Sequence, residues 1–152
     1  MNKQEQINHF LESLGDFIGR YYSSAVTQVS KHSEGDWVKV AIEGPRGTTI
    51  ELWSENVEVT VVFGGSHWHI DSHDGPCNME DIFENTIDSV IDILRFKTAS
   101  YSCWREGRCL GGALCSDDVE EKDVISAARD PFKNLDEIRF QTWASELRTV
   151  EV

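Results

Sequence analysis

The sequence predicts an α+β domain: an antiparallel sheet of about six to seven strands packed on a central amphipathic helix, with a further helix at the N-terminus. Three observations carry this. Apolar residues recur with a period near 3.6 over residues 4–24 and 78–95. Between and after those segments they recur with a period of 2 in several short runs. The breaks between neighbouring runs are rich in Gly and too short to hold crossover helices, so successive strands run antiparallel. No composition shift or linker divides the chain, and residues 1–152 read as one domain.

The N-terminal helix carries the stripe Ile7, Phe10, Leu11, Leu14, Phe17, Ile18 and Tyr21. No proline stops it, so its end is open anywhere between Tyr22 and Ser30. Strands then occupy about 36–71. Val38, Val40 and Ile42 alternate, the turn Gly44-Pro45-Arg46-Gly47 follows, and Thr48 to Ser54 returns. Glu55-Asn56 turns the chain into Val57, Val59, Val61 and Phe63. Gly64-Gly65 is either a tight hairpin or a bulge, and His67 to Asp71 continues as a short strand.

The central helix spans 78–95. Met79, Ile82, Phe83, Thr86, Ile87, Val90, Ile91 and Leu94 fill one face. Asn78 is a good N-cap, Glu80 and Asp81 suit the first turn, and Arg95 suits the C-terminal end. After it come strands over about 97–114, a hairpin around Glu106-Gly107, and an acidic segment with a short helix near Val119 to Arg129. A last strand covers 136–143, and the tail from Thr149 adds a little more.

The net charge of -13 disfavours direct binding to nucleic acid or an anionic membrane and favours a basic partner, unless the acids only solvate the surface. The N-terminus shows no apolar leader, and no run of about 18 apolar residues suggests a membrane span. A cytoplasmic protein with reduced Cys77, Cys103, Cys109 and Cys115 is the expectation.

His67, His69 and Asp71 would share one strand face, with His73 close behind. Two imidazoles and a carboxylate are a common metal set, so a small metal-dependent enzyme using these three is one reading. The other has the histidines line an open sheet face. The segment resembles part of the His-x-His-x-Asp-His motif of the metallo-β-lactamase fold. Ser72 breaks the motif, and the remaining His9 and His32 lie upstream, so that family is set aside. No cysteine spacing is C-x-x-C, and buried thiols acting as small hydrophobes are expected over a nucleophile paired with His67 or His69. In the hairpin, a two-residue turn would set Cys103 opposite Leu110, and a three-residue loop would set it opposite Cys109. No phosphate loop or serine elbow is present, so no cofactor is implied.

The charge pattern says more. From Gly47 to Leu94 there is no Lys or Arg, against ten acids. Asp81, Glu84, Asp88 and Asp92 run down the polar face of the central helix without a compensating base. Like charges at i, i+4 weaken a helix, so a helix that needed only solubility would mix signs. These four are the candidate partner-binding residues.

The run EVTVVFGGSHWHID, an amphipathic helix, the hairpin YSCWREGRCLGG and a terminal strand with Trp together resemble small acidic bacterial immunity proteins of contact-dependent inhibition and other polymorphic toxin systems. The resemblance covers about residues 50–145 and excludes the N-terminal helix. It implies a cytoplasmic, non-catalytic protein that neutralises a cognate toxin by stoichiometric binding. A nuclease toxin would be basic, because it must hold phosphates. A non-catalytic adaptor without a toxin is a further reading.

Overall fold

The computed structural model describes residues 1–22, 28–44, 47–71, 78–95, 97–116, 118–143 and 148–152. His73, Asp74, Cys77, Asp117 and the Pro45-Arg46 part of the first turn lie outside the described residues. The fold is α+β, as the periodicities predict. The described strands number nine and fall into two antiparallel sheets.

Helix α1 (Lys3–Tyr21) begins at a capping box. Asn2 accepts from the Glu5 amide at 2.8 Å, and its own amide donates to the Glu5 carboxylate at 2.7 Å, which satisfies two otherwise orphan N–H groups. Ile7, Leu11, Leu14 and Ile18 form its buried face. The helix stops at Tyr22, and the chain reappears as strand β1 (Gln28–Glu34) where a fraying helix end was expected. The segment QVSKHSE has one strongly apolar residue and no alternation, so its strand state comes from pairing with its neighbour.

Strands β2 (Trp37–Glu43), β3 (Thr49–Trp53), β4 (Val59–Phe63) and β5 (Ser66–Ile70) complete a five-stranded meander in the order β1-β2-β3-β4-β5. Its register aligns Ile42, Ile50 and Phe63 in one row and Val40, Leu52, Val61 and Trp68 in the next. Alternation puts these rows on one face, which α1 and helix α2 (Met79–Leu94) cover to make the main core. Gly64-Gly65 is the tight hairpin, with φ of 60° and 84° and Phe63 paired to Ser66. Two positive φ values make this a type I′ turn.

The second sheet contains β6 (Thr98–Arg105), β7 (Arg108–Ser116), β8 (Glu137–Gln141) and β9 (Arg148–Glu151) in the order β7-β6-β8-β9. Helix α3 (Glu121–Arg129) packs Ala128 with Cys103, Leu135 and Ile138 in a smaller core. The β6–β7 hairpin does have a two-residue turn, with Arg105 opposite Arg108 and Trp104 opposite Cys109. A bulge then absorbs Leu110, so Cys103 faces Gly111, and neither Leu110 nor Cys109. Gly111 has φ 156°, and a Cβ there would sit 2.8 Å from the Phe132 ring.

The sheets meet where β5 abuts β6 and β7. Ser66 donates its hydroxyl to the Tyr101 carbonyl at 2.6 Å, and Ser100 donates to the Gly64 carbonyl at 3.4 Å. Trp143, just past β8, crosses into the main core beside Phe63, fully buried, while its carbonyl accepts from Thr48 Oγ1 at 3.0 Å. No helix among the described residues is long and apolar enough to cross a membrane.

Candidate functional site: the acidic ridge of helix α2

Helix α2 starts at Asn78, whose side chain accepts from the Glu80 amide at 3.1 Å. Ile82, Val90, Ile93 and Leu94 are buried beneath it. Thr86 is buried too and satisfies its hydroxyl by donating to the Ile82 carbonyl at 2.7 Å. The sequence stripe omits Ile93, which is fully buried, and includes Ile87 and Ile91, which are only half-buried. The core-facing arc is therefore rotated from the one the stripe suggests. Ile87 and Ile91 turn toward α1.

The acids stand clear of both packing faces. Asp81, Glu84, Asp88 and Asp92 are all exposed, and none forms an ion pair with a described residue. Neither the sheet nor α1 covers this ridge. It divides two depressions of opposite character. On one side a polar cleft of about 720 Å³ runs between α2 and the ends of β5, β6 and β7. Asp88, Asp92, Asp71, His69 and Lys97 line it, so the structure brings part of the histidine motif to part of the helix acids. On the other side an apolar groove of about 460 Å³ lies between α1 and α2. Phe10, Leu14, Phe17, Ile18, Ile87 and Ile91 contribute to it. Phe10 also stacks on Phe83 of α2 with ring centroids 4.2 Å apart.

The histidine pair lies on the face of the first sheet away from the helices, as alternation predicts. The His67 and His69 rings meet edge-on at 5.5 Å. His69 Nδ1 lies 2.7 Å from Glu58 Oε1 and 3.0 Å from Thr60 Oγ1, so local partners hold this nitrogen. Asp71 follows the end of β5 and lines the cleft. Among the described residues, no three His, Cys, Asp or Glu side chains are grouped to hold one metal ion. The same open face carries Trp37 and Trp53, with Lys39 Nζ 2.9 Å from Glu51 and 5.6 Å above the Trp53 ring.

Cys103 is buried and Cys109 exposed. Burial, then the neighbouring Cys109, pushes the Cys103 thiol up, and burial does the same to Cys115. A nucleophilic thiol needs the opposite shift. The arrangement presents an exposed one-signed ridge with an apolar groove on one side and a polar cleft on the other.

Sequence reasoning placed the acids on one helix face but missed the groove. The partial signal is in α1, where Phe17 and Tyr21 sit at the edge of the apolar stripe. Phe17 and Tyr21 are left 48% and 66% exposed. Comparison of the chain with known protein families, with curated proteins and with solved structures gives no match.

Proposed function

We propose that this protein is an immunity protein that binds a basic, nuclease-type toxin stoichiometrically and neutralises it. The observation that carries the reading is the ridge Asp81, Glu84, Asp88 and Asp92: exposed, without ion pairs among the described residues, and aligned along one helix. A one-signed field of this kind accelerates encounter with an oppositely charged partner and selects against acidic ones. Keeping three like-charge contacts at i, i+3 and i, i+4 costs helix stability, which a purely solvating face would avoid by mixing signs. A toxin that holds phosphates presents the complementary surface.

The test is co-expression with the toxin domain encoded by the adjacent gene. Stoichiometric co-purification and protection of the producing cell are expected. A purified protein that neither binds that domain nor protects against it refutes the reading.

A further inference from the structure

We infer that the groove between α1 and α2 is the seat for a basic amphipathic helix of the partner, whose apolar stripe enters the groove while its Lys or Arg residues lie on the α2 ridge. The inference rests on the proposed function only for the identity of the partner; the groove argument stands on four local observations.

First, the groove is apolar along its length, walled by Phe10, Leu14, Phe17 and Ile18 of α1 and by Ile87 and Ile91 of α2. Second, its mouth carries aromatic surface that the fold leaves in water. Phe17 is 48% and Tyr21 66% exposed, and the two rings lie 4.7 Å apart. Large exposed aromatics beside a groove are what a helix-in-groove contact uses as anchors. Third, Glu84 lies three residues before Ile87 and Asp88 three before Ile91, with Glu80 one turn before Glu84, so the acids stand on α2 beside the groove rather than inside it. All three are exposed. Fourth, the α1 wall has Ser13 in the groove, a small residue that leaves room for a side chain from outside.

Charge selects among occupants. A second copy of this chain, at -13, would bring one acidic ridge against another. An anionic membrane is repelled for the same reason. A helix with Lys or Arg flanking an apolar stripe satisfies the groove and the adjacent acidic ridge together. The groove's lining runs from Phe10 to Tyr22 along α1, about three turns, and over Ile87 and Ile91, about one turn, on α2, so it seats a short stretch of helix laid along α1.

The probe is an end-labelled synthetic peptide of about 18 Lys and Leu residues with the leucines in a helical stripe, followed by fluorescence anisotropy against the full chain. Of three comparison peptides, one has the same composition with the stripe scrambled, one has Glu in place of Lys, and one has both changes. Binding by the striped basic peptide alone is expected. Phe17→Ser should weaken it by about tenfold or more, as loss of an aromatic anchor does, while Phe17→Leu retains most of it. Glu84→Gln with Asp88→Asn should weaken it about threefold at low ionic strength and hardly at high. Should Phe17→Ser lose the folded circular dichroism signal, Ser13→Trp, which plugs the groove from an exposed position, replaces it and should likewise abolish binding.

Equal binding of striped and scrambled basic peptides overturns the inference, because charge alone then explains it. So does indifference to both Phe17→Ser and Ser13→Trp, or no binding of the striped peptide at all. A concentration-dependent dimer lost in Phe17→Ser also overturns it and makes a second copy the occupant. The two readings fail separately. Full toxin binding and protection by Phe17→Ser and Ser13→Trp would remove the groove and leave the immunity function. A wild-type chain that ignores the toxin yet binds the striped peptide through Phe17 would remove the function and leave the groove.

Discussion

Asp88→Asn should make the protein more stable and a slower binder. Asp88 is exposed and stands one helical turn from Glu84 on one side and from Asp92 on the other. Each like-charge pair at that spacing destabilises a helix by about 0.2–0.5 kcal/mol, so removing the middle charge relieves two and adds about 0.4–1 kcal/mol. Asn and Asp have similar intrinsic helix propensities, so the backbone term nearly cancels. The gain should appear as a higher urea midpoint with an unchanged slope. It should shrink at 1 M salt, where the screening length falls to about 3 Å. In stopped-flow association with the basic partner, the same variant should show a lower on-rate and a flatter dependence on ionic strength. A loss of stability would refute the reasoning. It would show that Asp88 makes a favourable contact within the cleft it shares with Asp71 and Lys97, and that the ridge is held for the fold.

Trp143→Ala should cost about 3–5 kcal/mol by urea unfolding, since the ring is fully buried between Phe63 and Gly44 and ties the second sheet to the first core. Trp143→Phe should cost clearly less, because it also removes a buried indole N–H that has no hydrogen-bond partner among the described residues. Gly64→Ala should cost about 2–4 kcal/mol, combining a φ of 60° with a Cβ driven into the Ser100 hydroxyl; a thermal midpoint within a degree of wild type would contradict the hairpin geometry. Burial raises the Cys103 thiol, with the neighbouring Cys109 adding to the rise, so the folded state holds that proton more tightly than the unfolded chain. That contribution is complete below the ordinary thiol range and is lost as pH rises through the folded value. Denaturation midpoints measured from pH 7 to 10 should fall less steeply in Cys103→Ala, with Tyr101 and Cys115, also raised, supplying the slope that remains.

What the amino-acid order determined by itself is whatever repeats locally. The 3.6 and 2 periods placed α1, α2, the strands from Trp37 to Ile70 and the β6–β7 hairpin, because each side chain's face follows from its spacing alone. The same logic set Asp81, Glu84, Asp88 and Asp92 on one side of α2, and their exposure bears that out. Strand β1 escaped because a single apolar residue cannot show a period, and its state depends on hydrogen bonds to β2. The division into two sheets was equally hidden. It arises where Ser66, Ser100 and Gly64 pack the β4–β5 hairpin onto β6, a contact between residues distant in the chain. The bulge at Leu110 depends on one residue of slack, which shifts every later partner without leaving a mark in composition. Tertiary structure alone decided that Ile87 and Ile91 face an open groove with α1 and that Asp88 and Asp92 share a cleft with Asp71 and Lys97. Periodicity reports which residues lie together on an element. What stands opposite them is set by how the elements cross, and that depends on packing between segments far apart in the sequence.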